Sequence, residues 1–261
     1  ASFVLEGFFD DFDAALCVHP GHRYAKTSTG LANDPVDIKF YGVASHAAGA
    51  PEKGVNALEA VIQVFNSINA LRLHLPKDVN IHGIITNGGV AANVVPDFAS
   101  ARFYLRAANR ATLNDVYAKV ENIVKAAALA TGATYEFGLF QNSVDDIIVT
   151  DAFDEVFFSH AQAAGVPADE IVEVKKQSLG SSDVGNVSQV IPTIQPTVSI
   201  SDDYIAGHSI EFKAAARSPK GLNSIGIAAE LLAKTALDLI EQPELLATIK
   251  EEHQASLAKG N

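Results

Sequence analysis

Three histidines stand among small or turn-forming residues, where an imidazole is free to act on something outside its own core. His46 lies in Gly42-Val-Ala-Ser45-His46-Ala47-Ala48, between an apolar strand and a long helix. His19 opens His19-Pro20-Gly21-His22, directly after the apolar run 14–18. His208 lies in Gly207-His208-Ser209, after the apolar run 193–200. Imidazole binds zinc well, and ligands of open α/β sheets gather beyond strand ends, so His19 and His208 are candidate metal ligands. Two histidines make only half of a catalytic metal site, which needs three protein ligands or a bridged pair of ions. A nucleophilic triad fits poorly, because no GxSxG elbow occurs and Cys17 lies within an apolar run. The stretch Gly180-Ser181-Ser182-Asp183-Val-Gly185-Asn186 has small residues that let backbone approach a ligand. It reads as a loop with neither the lysine of a P-loop nor GxGxxG spacing. His22, His74, His82, His160 and His253 are assigned structural or surface roles, and Asp183 a turn-capping one.

These residues need elements to hold them. Ala14 to Val18 reads as a strand buried on both faces. A strand over 36–43 precedes a helix over 54–75, whose apolar residues recur at the helical period. Strands over 79–86 and 98–106 follow, then a helix over 112–131 capped by a threonine and closed by Gly132, then a strand over 133–140. This β-α-β-β-α-β order predicts a ferredoxin-like unit, an antiparallel sheet with both helices on one face. Ala99, Ala101, Phe103 and Leu105 should face the helices, and Ser100, Arg102, Tyr104 and Arg106 the open side. After it come a helix over 151–164, strands over 171–174 and 193–200, and a helix over 219–240 opened by Ser218-Pro219. The tail after Pro243 has helical tendency.

The 261 residues, 48% of them apolar, provide for a sizeable core, and the formal charge of −12 opposes sequence-independent nucleic-acid binding. No apolar run reaches the ~18 residues a membrane span needs. One cysteine excludes an internal disulfide and suits the cytoplasm.

Taken together, Gly42-x-x-Ser45-His46-Ala47-Ala48, Gly88-Gly89-x-x-x-Asn93-Val94-Val95-Pro96-Asp97, Arg106, Gly180-Ser181-Ser182-Asp183-x-Gly185-Asn186 and Gly207-His208-Ser209 occur in one order. The series resembles the zinc-dependent aminoacylase and carboxypeptidase family of metallopeptidases, in its amidohydrolase branch, over nearly the whole chain. The resemblance implies an α/β fold: a partial zinc-peptidase-like catalytic domain, residues 1–34 and 145–261, carrying an inserted ferredoxin-like lid and dimerisation domain, residues 35–144. It implies that His19 and His208 bind metal, zinc or else manganese or cobalt, as one or two ions per subunit. It gives His46 the role of reaching across a homodimer to the oxygen of the scissile carbonyl, and Asn93 and Arg106 that of holding substrate. Gly180 and Ser181 would line the substrate. The family's paired acids, one of them the general base, have no counterpart in these residues, and an amino-terminal portion is expected before Ala1.

The resulting expectation is a cytoplasmic, homodimeric, metal-dependent amidohydrolase. Its substrates are small N-acyl amino acids or dipeptide-like molecules, with no nucleic-acid or membrane partner. The alternative is a non-catalytic dimeric ligand-binding protein, or a fragment of such an enzyme.

Overall fold

The computed structural model describes residues 1–172 and 180–259. They form two units, Ala1–Leu31 with Asp145–Asn261, and Ala32–Val144. The outer unit begins with helix α1 (Ser2–Leu5) and strands β1 (Ala15–Leu16), β2 (His19–Gly21) and β3 (Tyr24–Ala25). The inner unit follows: β4 (Ala32–Tyr41), α2 (Ala57–Leu71), β5 (Asn80–Asn87), β6 (Phe98–Ala107), α3 (Arg110–Thr131) and β7 (Thr134–Leu139). The outer unit resumes with α4 (Asp151–Ala163), β8 (Ile171–Val172), α5 (Val184–Ser188), β9 (Thr193–Ile194) and β10 (Thr197–Ser199). It ends with α6 (Ile210–Ala216), α7 (Pro219–Glu241) and α8 (Pro243–Lys259).

In the inner unit the sheet runs β5-β6-β4-β7 with every pair antiparallel, the ferredoxin-like arrangement. Alternation along β6 sorts the side chains as expected: Ala99, Ala101, Phe103 and Leu105 are buried, while Ser100, Arg102, Tyr104 and Arg106 are not. The buried set packs with Phe40, Val64, Ile68, Leu113 and Val120 into one apolar cluster beneath α2 and α3. Each such Phe or Leu contributes roughly 1.5–3 kcal/mol by leaving water. Helix α2 starts at Asn56, whose Oδ1 accepts the N–H of Leu58 at 2.9 Å and of Glu59 at 3.2 Å. Helix α3 is capped by Asn109 rather than by a threonine. Asn109 is extended, and its side chain accepts the Thr112 N–H at 2.8 Å, so Thr112 is the capped residue and not the cap. Gly132 then ends the helix with φ +77°, the left-handed region that glycine enters cheaply.

The unit's two ends are fastened together. Asn33 and Val144 exchange backbone hydrogen bonds of 2.8 and 3.0 Å, and Arg110 binds both Asp34 carboxylate oxygens and the Val144 carbonyl.

In the outer unit the expected strand over 14–18 shortens to β1, and the expected strand over 193–200 is broken in two. β1 pairs in parallel with β9, and β2 pairs in parallel with β10 in a separate sheet ordered β2-β10-β3-β8. Pro196 sits at the break, where it has no N–H to carry the ladder on. His19 thus follows β1, as expected, and itself starts the second short strand, β2. The strand expected over 171–174 is described only as β8, and Glu173 and Val174 lie outside the described residues. The loop expected over 180–186 turns helical at Val184, as α5. Phe153, Phe157 and Phe158 of α4 pack with Ile194, Val198, Leu231 and Ile249 to form this unit's core. No helix among the described residues is long and apolar enough to cross a membrane.

Candidate active site

The outer unit contains a cavity of about 430 Å³ lined by His19, Ser28, Gly30, Ile147, Gly180, Ser181, Ser182, Gln195, Thr197 and His208. Four residues singled out from the sequence, His19, Gly180, Ser181 and His208, are thus gathered around one cavity. The parallel pairing of β2 with β10 sets His19 beside Thr197, and the His19 N–H donates to Pro196 O at 2.9 Å. The ring is fixed too. Nδ1 lies 2.8 Å from Pro20 O, and a carbonyl can only accept, so Nδ1 carries the hydrogen. The lone pair is then on Nε2, the tautomer that suits a metal ligand.

His208 has φ +60°, the one positive φ outside glycine among the described residues. Such a conformation costs about 1–3 kcal/mol and persists where the surroundings dictate it. Here Ser209 dictates it: its hydroxyl donates to Ala206 O at 2.8 Å and accepts the Phe212 N–H at 3.0 Å as the cap of α6. Among the described residues, Ser181 Oγ is buried on the cavity wall without a hydrogen-bond partner, a hydroxyl left for something else to bind. Among the described residues no group of three or more His, Cys, Asp or Glu side chains is placed to hold a metal ion. The cavity's imidazoles fit a divalent transition metal in kind and would supply only part of a ligand set.

The inner unit holds the other candidates. His46 is exposed, on a segment that pairs antiparallel with Val94. The Ala47 N–H donates to Asn93 O at 3.0 Å and the Val95 N–H to Ser45 O at 2.9 Å, so the His46 and Asn93 loops run side by side through one isolated bridge. Gly42, at the start of this segment, lets Val43 pair closely with Val55: a Cβ there would stand 2.0 Å from Val55 O. The His46 ring has the opposite tautomer to His19. Its Nδ1 accepts the N–H of Gly49 at 3.0 Å and of Ala48 at 3.3 Å, which leaves Nε2–H as the donor.

Arg106 stands elsewhere. It lies on the open face of the sheet, opposite Asn33 and Asn80, with its guanidinium 5.7 Å from the Tyr104 ring. His82 stacks on Tyr104, and burial, then the charges of Arg106 and Arg72, hold its pKa below the usual value. Arg102 on the same face is committed to Asp37 through bonds of 2.6 and 3.0 Å. The His46 loop abuts the start of β6, through Gly42 N–H to Asp97 O at 2.7 Å, and Arg106 is near its far end. The stretch from Phe98 to Arg106 extends roughly 26 Å at a strand's rise. A single copy of the inner unit therefore keeps His46 and Asn93 apart from Arg106.

Sequence reasoning missed Ser28, Gly30, Ile147, Gln195 and Thr197 as cavity residues. None belongs to a chemical type that singles itself out, and only strand pairing brings 195–197 beside His19.

Residues 35–132 match the family described as Peptidase dimerisation domain. The chain is 33% identical to the Xaa-Arg dipeptidase of Mus musculus, over 97% of this chain and 59% of that protein. It is 28% identical to a subunit of the p-aminobenzoyl-glutamate hydrolase of Escherichia coli, over 96% of this chain and 63% of that protein. It thus spans about three fifths of these relatives. The crystal structure of an aminobenzoyl-glutamate utilization protein from Klebsiella pneumoniae has the same fold, with a TM-score of 0.68 at 23% identity, over 90% of this chain and 57% of that one. The inner unit thus belongs to the peptidase dimerisation domain family, and the chain as a whole is similar to dipeptidase and aminobenzoyl-glutamate hydrolase relatives that carry it.

Proposed function

We propose that the protein is a metal-dependent amidohydrolase that cleaves the amide bond of N-acyl amino acids or dipeptide-like substrates. The observation that carries the reading is the pair His19 and His208 on one cavity, with the His19 lone pair held on Nε2. These two histidines would hold the metal, zinc or else manganese or cobalt, as one or two ions. The metal supplies Lewis acidity towards a scissile carbonyl. Gly180 and Ser181 line the substrate's place, the Ser181 hydroxyl offering it a hydrogen bond.

The remaining roles belong to the inner unit and are shared between two copies. A dipeptide spans only about 7 Å, so His46 and Arg106 of one copy cannot both reach it across the length of β6. We assign Arg106 to the substrate carboxylate, which its two-pronged guanidinium matches. Nε2–H of His46 of the partner subunit donates to the carbonyl oxygen as it gains charge, a contribution worth about 3 kcal/mol in comparable sites. Asn93, on the turn beside His46, orients the same end of the substrate. The exposed edge strand β5, with Ile84 and Ile85 open to solvent, is a fitting surface for the homodimer. We place the protein in the cytoplasm, on its single cysteine.

The test is hydrolysis of a panel of acyl amino acids and dipeptides by the full-length, metal-loaded protein. His46→Ala should lower kcat roughly 10²–10³-fold and leave metal content unchanged. Tight substrate binding without turnover by the native protein would refute the reading and favour a ligand-binding role.

A further inference from the structure

Asp154 is fully buried in the first turn of α4, away from the residues assigned above. Its Oδ2 accepts the Thr27 N–H at 3.1 Å and its Oδ1 the Thr27 hydroxyl at 2.8 Å. The same Thr27 hydroxyl accepts the Gln195 N–H at 2.9 Å. Ser28 follows Thr27 on the cavity wall, Gln195 is on the wall itself, and Pro196 next to it takes the His19 N–H. One carboxylate thus fastens both backbone segments that stand beside His19.

We propose that Asp154 is a positioning residue for the His19–His208 cavity, acting through Thr27 on the segment Gln195–Pro196. The inference takes its functional meaning from the reading of that cavity as the reaction site, but its test does not depend on turnover. Thr27 is the coupling piece because its hydroxyl is used twice, once as donor and once as acceptor. Both Asp154 oxygens accept from Thr27 when the carboxylate is ionised. A proton taken up from solvent turns one oxygen into a donor. The carboxyl O–H then points at Thr27 Oγ1, the threonine proton must turn away, and the oxygen shared with Gln195 is rebalanced.

The surroundings put this change within reach of neutral pH. Burial is the main cause that pushes the Asp154 pKa up to about 7, opposed by the two Thr27 hydrogen bonds. The charge of Asp151 raises it and that of Lys26 lowers it, with Lys26 itself paired to Glu155. From α8, Glu252 caps the N–H groups of Asp151 and Ala152, and buried His253 is bound to Ser188 O. From α7, Asp238 is bound to His160.

The experiment is a pH titration of backbone amide resonances in ¹⁵N-labelled full-length protein. The amides of Thr27, Ser28 and Gln195 should move together with one midpoint near 7. Asp154→Asn, which copies the neutral carboxyl in shape, should abolish the titration at all three. Thr27→Val should silence Gln195 alone, and it serves as the decisive variant if Asp154→Asn does not fold. A Thr27 midpoint below about 5 overturns the proposal, as does a Gln195 amide that stays still while Thr27 titrates. A titration that persists in Asp154→Asn belongs to a neighbouring histidine and also overturns it.

Discussion

Two histidines in this protein are set in opposite tautomers by backbone alone. His19 gives its Nδ1 hydrogen to Pro20 O, and His46 receives the Gly49 N–H at Nδ1. A ligand needs a lone pair on the outer nitrogen and an oxyanion partner needs a hydrogen there, so each ring is preset for its assigned task. The amide nitrogen of glutamine overlays Nε2 of histidine, while that of asparagine overlays Nδ1. His46→Gln should therefore keep a larger share of kcat than His46→Asn, which should fall as far as His46→Ala; equal losses for both would count against the Nε2–H donor. These histidines were legible in the sequence because imidazole among small residues is chemically conspicuous. Asp154 was not: an acid in a helix's first turn reads as a surface partner of the helix dipole. Only the packing of Thr27 against α4 shows that this one is buried.

At the scale of elements, regular periodicity was the reliable guide. β6 sorts its two faces as its alternation implies, and α7 starts at Ser218-Pro219 with the serine hydroxyl 3.0 Å from the Gly221 N–H. The short outer strands were less legible. A continuous apolar run such as 14–18 looks the same whether all of it or only Ala15–Leu16 is paired, and partners far along the chain decide it. Local caps remain open to direct test. Asn56→Ala removes the acceptor for two N–H groups at the start of α2 and should cost about 1 kcal/mol. Urea unfolding would show this as a lower midpoint with an unchanged slope.

At the scale of the whole molecule, Asp154 also ties stability to pH. Its folded pKa of about 7 lies above the ordinary 3.8, so between those values the folded form keeps a proton that the unfolded form has lost. Stability from this group therefore falls as pH rises through that window and levels off above it. Asp154→Asn should flatten that slope in urea unfolding measured across the window; an unchanged slope would assign it to other groups. The proposed homodimer is also tested at this scale. Ile84 on edge strand β5 is 64% exposed, and Ile84→Lys should shift the protein from dimer towards monomer in sedimentation. The inserted unit was legible as a ferredoxin-like module, since its elements follow one another along the chain, but the clasp at its base was not. That clasp, Asn33 to Val144 with Arg110 across Asp34, has a consequence for the chain around it. A free insertion of this length would tax the host through loop-closure entropy. With both ends stapled to each other, the host sees a short hairpin in place of a hundred-residue detour, and the module can diverge in sequence without unsettling the scaffold that bears it.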